Sequence, residues 1–217
     1  MDAIALTVVL IFSVVVHEVA HAWQARREGD TTAEQLGRIT LNPLPHLDPI
    51  GSVLVPLALH FSGSGFVFGW AKPVPVNPSN YRSHVWGDIR VSLAGIASNL
   101  GLALLATVAS AVVLKLEAGV GPLGGTTAVL RQMALYGIVI NLVLATFNLI
   151  PIPPLDGSHV LYHALPERWA LRYRRAGRYG LLVIMGIMFL APGVFDLLMW
   201  PVTALLGAAD AFIRLWI

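Results

Sequence analysis

Ile4-Ala5-Leu6-Thr7-Val8-Val9-Leu10-Ile11-Phe12-Ser13-Val14-Val15-Val16-His17-Glu18-Val19-Ala20-His21-Ala22-Trp23-Gln24-Ala25 decides the class of fold. The run is long enough for a helix that crosses a hydrocarbon core, which takes about 20 residues. Only its far end carries groups that such a helix resists, chiefly His17, Glu18 and His21. The rest of the chain agrees with that reading. Of its 217 residues 56% are hydrophobic and 12% charged, about half the charged share of a soluble domain. Mean hydropathy is +0.73. So few charges cannot cover a water-exposed surface, which excludes a soluble enzyme and a disordered chain. The formal net charge of +2 is too small for a nucleic-acid binder, and the basic residues flank apolar spans instead of lining one solvated face. With no cysteine, neither a disulfide framework nor a thiolate metal site can form.

The charge-free gaps predict an all-α polytopic membrane protein, a single domain over residues 1–217. Residues 4–25, 91–114 and 132–155 are its core spans. No basic n-region or small-residue cleavage site marks the first span as a removable signal, so it is expected to be retained. Residues 179–214 predict a C-terminal helical hairpin broken around Pro192-Gly193 and Asp196, with a short second arm over 197–209 that either spans or lies at the interface. Residues 49–76 are interrupted by Pro49, Pro56, Gly63, Gly65 and Gly69, with turn chemistry at Ser62-Gly63-Ser64-Gly65. They predict a re-entrant hairpin, and the alternating prolines of Lys72-Pro73-Val74-Pro75-Val76 predict an edge strand. Non-helical backbone at membrane depth must be buried in protein or line a cavity.

His17-Glu18-Val19-Ala20-His21 is an H-E-x-x-H sequence. Helical residues four apart share a face, so both imidazoles can reach one Zn²⁺, with Glu18 beside the first ligand and free to act on water. A chance match is a poor alternative here, because unpaired imidazoles and a carboxylate in a membrane helix cost several kcal/mol. A catalytic zinc takes three protein ligands and an open position. Gln24 and Arg27 stand where a metzincin extension needs a glycine and a third histidine. Glu28 and Glu34 lie in a charged juxtamembrane stretch and read as solvated charges. The best remaining carboxylate is Asp156, in Asn148-Leu149-Ile150-Pro151-Ile152-Pro153-Pro154-Leu155-Asp156-Gly157. Its prolines end a helix, and Gly157 permits a sharp turn. His159 and His163, also four apart, are a weaker second metal pair; His46 and Asp48 read as loop or capping residues.

Together these residues resemble the site-2 protease family of intramembrane zinc metalloproteases, which pairs H-E-x-x-H with N-x-x-P-x-P-x-x-D-G. The resemblance extends through Gly37-Arg38, Asn42-Pro43, His46-Leu47-Asp48-Pro49-Ile50-Gly51-Ser52, Gly69-Trp70-Ala71-Lys72-Pro73-Val74-Pro75-Val76-Asn77-Pro78 and Ala94-Gly95-Ile96-Ala97-Ser98-Asn99. Ile96 stands where a proline is usual, and the chain looks like a small branch without a PDZ or CBS domain.

The resemblance implies an intramembrane zinc endopeptidase that hydrolyses peptide bonds of membrane-embedded protein substrates. One Zn²⁺ per chain is held by His17, His21 and Asp156; the zinc activates water and Glu18 is the general base. Asn148 is implied to orient substrate or stabilise the oxyanion; Asn99 is implied to contact substrate, with an interhelical hydrogen bond as the equal alternative. Strand chemistry adds Val74 and Val76, whose backbone can pair with an unwound substrate segment. The expected partners are a transmembrane protein substrate and the lipid bilayer, with no nucleic acid. The expected location is the plasma membrane of a prokaryote, catalytic face cytoplasmic. A metal transporter would have no use for a non-ligand Glu18, and an inactive scaffold would not keep Glu18 beside a complete ligand set.

Overall fold

The computed structural model describes residues 2–55, 58, 61, 70–120 and 125–216. Its helices are α1 (Asp2–Glu28), α2 (Thr32–Gln35), α3 (His84–Val120), α4 (Gly125–Leu149), α5 (Gly157–Ala164), α6 (Glu167–Ala176), α7 (Gly180–Leu190) and α8 (Pro192–Arg214). No strand occurs among the described residues. Four of the helices, α1, α3, α4 and α8, are long and apolar enough to cross a membrane.

α1, α3 and α4 form the centre of the molecule. α1 and α3 run antiparallel, as His21 meets Val91 and His17 meets Asn99. α3 and α4 do the same, with Asn99 on Asn141 and Glu117 on Arg131. Close approach between them depends on small residues: a Cβ on Gly137 would lie 2.9 Å from that of Ala106. α8 covers this pair, and Ala103, Ala111, Ile138, Leu142, Val202 and Ile213 make the largest apolar cluster.

The helix bounds differ from the charge-free gaps for physical reasons. α3 has 37 residues, about 55 Å, and carries Asp88, Arg90, Lys115 and Glu117 beyond any hydrocarbon core. Charge stops a span but not a helix. α4 ends at Leu149, short of residue 155, because Pro151 follows and proline disfavours helix in the residue before it. The C-terminal hairpin breaks at Ala191, and Pro192 opens α8 in the first turn, where its missing N–H is harmless. Asp196 therefore sits inside α8. The first arm has 11 residues and the second 23, so the longer arm is the second.

α1 stops at Gly29, whose φ of 112° permits the C-terminal turn in which Asp30 N–H bonds to Ala25 O and Gly29 N–H to Arg26 O. The segment that follows begins and ends at the same end of the bundle, since Arg82 N–H donates to Glu28 O at 2.8 Å. Within it, Trp70 N–H donates to Gly51 O at 3.1 Å, so the chain between them leaves and returns at one point. A π-helical turn, Pro49–Leu54, opens that excursion and is capped by Asp48, which accepts from Ile50 and Gly51 N–H. The expected Ser62–Gly65 turn lies outside the described residues.

Residues 70–77 are irregular, not a paired strand. Pro73 and Pro75 remove the N–H groups that a ladder needs. Hydrogen bonds to side chains and backbone outside the segment fix this strap instead. Arg38 Nη2 donates to Lys72 O at 2.9 Å, His46 O accepts from Lys72 N–H, and Asp30 accepts from Asn77 N–H at 2.7 Å.

Candidate metal centre and active site

Buried carboxamides set the tautomer of the first histidine. Asn141 Nδ2 donates to its own helix at Gly137 O and to Ser13 Oγ, which leaves Asn141 Oδ1 to accept from Asn99 Nδ2 at 2.8 Å. Asn99 Oδ1 therefore faces His17 Nδ1 at 2.6 Å and must receive its proton. The second histidine is fixed more simply: its Nδ1 lies 2.7 Å from Val91 O, a group that only accepts. Both imidazoles carry their proton on Nδ1. Both present a lone pair on Nε2.

Those lone pairs point at one place. The two Nε2 atoms are 3.0 Å apart, and Asp156 Oδ2 lies 3.2 Å from His17 Nε2 and 3.3 Å from His21 Nε2. Asp156 Oδ2 is buried and has no hydrogen-bond partner. Three electron-rich atoms without a proton among them repel one another unless a cation lies between. Tetrahedral zinc with ligand bonds of about 2.0–2.1 Å has ligand–ligand edges of about 3.3–3.4 Å, close to this triangle. The donor set fits Zn²⁺, and it is the one metal-capable group of three among the described residues.

The backbone around Asp156 differs from the sharp turn expected at Gly157, which has no positive φ and is the first residue of α5. Glycine is needed for room: a Cβ here would overlap the Leu149 carbonyl. Gly95 has a similar role on α3, where a Cβ would lie 2.5 Å from His21 Nε2 and 2.6 Å from His17 Cε1.

Glu18 stands beside the trio. Its Oε2 accepts from Val74 N–H at 2.8 Å, while Oε1 accepts no hydrogen bond among the described residues. The Val74 side chain is buried against Ala22 and Ala33, and Val76 packs beside it. Asn99 bonds to a metal-ligand candidate. Asn148 donates to Leu144 O at 3.0 Å, and no hydrogen bond joins it to the trio.

Other candidates resolve into local structure. His46 is buried and meets Thr40 O at 3.0 Å. Glu34 pairs with Arg26 at an exposed site. Glu28, read as a solvated charge, is in fact buried and paired with Arg90 at 3.0 Å, because α3 closes over the end of α1. His159 Nδ1 and His163 Nε2 both meet Asp88 Oδ2, at 3.0 and 2.8 Å. The Asp88 bond, stronger than the opposing effect of burial, holds the His159 imidazole above its ordinary pKa. Sequence reading gave no role to Ser13, Asn141 or Asp88. Their signal was present, since polar residues within an apolar span need a partner.

The model of peptidase family M50 matches residues 125–191. A Bacillus subtilis (strain 168) protein named "Putative zinc metalloprotease YwhC" is 36% identical over 211 residues, covering 97% of this chain and 90% of its own length. A Mycolicibacterium smegmatis protein named "Putative zinc metalloprotease Rip2" is 31% identical, over 88% of this chain and 70% of its own length. A Mycobacterium tuberculosis (strain H37Rv) protein of the same name is 30% identical, over 84% and 65%. No solved structure matches the chain at a significant level.

Proposed function

The chain belongs to peptidase family M50, the site-2 proteases, and from that membership we propose that it is an integral-membrane zinc endopeptidase cutting peptide bonds of membrane-embedded proteins. One observation carries the reading: two Nε2 lone pairs and an unpartnered carboxylate oxygen converge in a triangle of zinc-like size. His17, His21 and Asp156 would hold one Zn²⁺ per chain. When bound there, zinc polarises the scissile carbonyl and lowers the pKa of water toward about 7.

The protein's own groups do the rest. Asn99 and the Val91 carbonyl keep both imidazoles in the tautomer that binds metal. Val74 N–H holds Oε2 of Glu18, leaving Oε1 to take a proton from the attacking water and deliver it to the leaving amine. Asn148, on the last turn of α4, is the proposed donor to the developing oxyanion. The strap around Val74 and Val76 is the proposed edge for an unwound substrate segment.

Glu18→Gln tests the assignment with little disturbance, because a carboxamide oxygen can still accept from Val74 N–H. Cleavage of a transmembrane-fusion substrate by the purified protein is expected to fall by about 10²–10⁴-fold. Bound zinc should stay at one per chain, and a chelator should abolish wild-type cleavage. Loss of zinc along with activity would make Glu18 a ligand and overturn its role as base.

A further inference from the structure

On one face of α3, at helical spacing, lie Asp88, the Val91 carbonyl, Gly95 and Asn99. Val91 and Asn99 fix the two imidazoles, and Gly95 leaves them room. Asp88 faces a different element. Its side chain is 10% exposed, and a carboxylate so placed needs partners. It has two, His159 and His163, which are four residues apart and so share one face of α5.

α5 begins directly after Asp156. Between Leu149 and Gly157 the chain has no regular helix, only short turns such as Leu155 N–H to Ile152 O and Ser158 N–H to Leu155 O. The Asp156 carbonyl accepts from His159 N–H, but its side chain makes no capping bond to α5. Close packing of Gly157 on the Leu149 carbonyl fixes how near α5 sits to α4, but not its rotation about that contact. Two hydrogen bonds donated from one helix face to a single carboxylate oxygen supply the missing constraint.

We infer that Asp88 is a positioning residue for Asp156: by clamping α5 through His159 and His163 it sets where Asp156 Oδ2 lies relative to the two imidazoles. The same turns of α3 then organise all three ligands. The inference rests on the proposed metal centre. A second metal site does not account for the cluster, because these groups do not form a metal-capable trio among the described residues. A cavity of about 340 Å³ lined by His84, Asp88, Ser158, His159 and Tyr162 lies beside the clamp, so His159 can be replaced without repacking a core.

The experiment uses the full chain in detergent, stripped of metal and titrated with zinc against a chromophoric chelator. Asp88→Asn should still bind one zinc per chain, but about 10–100-fold more weakly, as loss of outer-shell support does. His159→Gln should weaken binding less, and Asp88→Glu, which keeps the charge, should restore much of the affinity. Val202→Ala, a core truncation on the buried face of α8, should lower thermal stability and leave zinc affinity unchanged. Wild-type affinity in both Asp88→Asn and His159→Gln would overturn the clamp, and His159→Gln decides alone if Asp88→Asn does not fold. Failure of the wild-type protein to take up zinc would overturn the metal centre itself, and the clamp with it.

Discussion

Gly95 shows how much of the site is set by space alone. His17, Glu18, His21 and Asp156 are legible in the sequence because their chemistry is rare in an apolar span and their spacing states a geometry. Gly95 has no chemistry to read. Its importance appears only when α3 lies against both imidazoles, where any side chain would enter the volume they occupy. Asn99 was legible as either a substrate contact or an interhelical hydrogen bond, and its bond to His17 is of the second kind. Gly95→Ala gives a test with opposing signs. Alanine favours helix over glycine by about 1 kcal/mol, so α3 should not weaken. Zinc affinity is nevertheless expected to drop by at least about tenfold, read by the same chelator competition, because the added methyl displaces His17 and His21. Unchanged affinity would mean that α3 does not press on the metal ligands as closely as described.

Among the elements, the strap 70–77 departs most from its sequence expectation, and the reason is where its hydrogen bonds go. Alternating prolines correctly exclude helix, but they also prevent a ladder, so the backbone is satisfied by Arg38, His46, Glu18 and Asp30. Asp30 is the anchor at the far end: it is buried and accepts from Asn77 N–H, Thr32 N–H, Thr32 Oγ1 and Asn80 Nδ2. Burial acts to raise its pKa, but these bonds outweigh it and hold the carboxyl below the usual range. The sign follows directly. The stabilisation is fully present above the unfolded aspartate value of about 3.9 and is lost as the pH falls toward the lowered native value. Asp30→Asn places an amide donor against the Asn77 N–H and should cost about 1–3 kcal/mol near neutral pH. Thermal melts should show a constant gap from the wild type between about pH 5 and 7 that narrows below about pH 4. Hydrogen exchange should show faster opening of 70–77 in the variant. A gap independent of pH down to acid would remove Asp30 as the charged anchor.

At the scale of the whole molecule, the charge-free gaps locate the three central helices and the C-terminal hairpin but make its second arm too short, because Asp196 reads as part of the break and lies within α8. Helix order settles more than hydropathy does. α1 and α4 are both antiparallel to α3, and the ends of α1 and α4 that carry the trio share one end of the bundle with the start of α3. The stretch joining α1 to α3 must then make no net crossing, in keeping with Trp70 returning to Gly51. The trio's end holds Arg26, Arg27, Arg38, Lys72, Arg82, Arg90, Arg168, Arg172, Arg174, Arg175 and Arg178, against Lys115, Arg131 and Arg214 at the other. The positive-inside rule therefore predicts a cytoplasmic catalytic end and an external N-terminus. The opposite end is also where Trp216 meets Lys115, so the same rule predicts an external C-terminus. The protein has no cysteine, which makes the arrangement directly measurable. Single cysteines at the exposed positions Gln35, Ser79 and Glu167 should react with an impermeant thiol reagent only from the cytoplasmic side. Cysteines at Thr126 and Leu215 should react only from outside. Opposite accessibility at 35 and 79 would require residues 29–83 to cross once. His17 and Asp156 could not then share a metal, and the catalytic reading would fall with the topology.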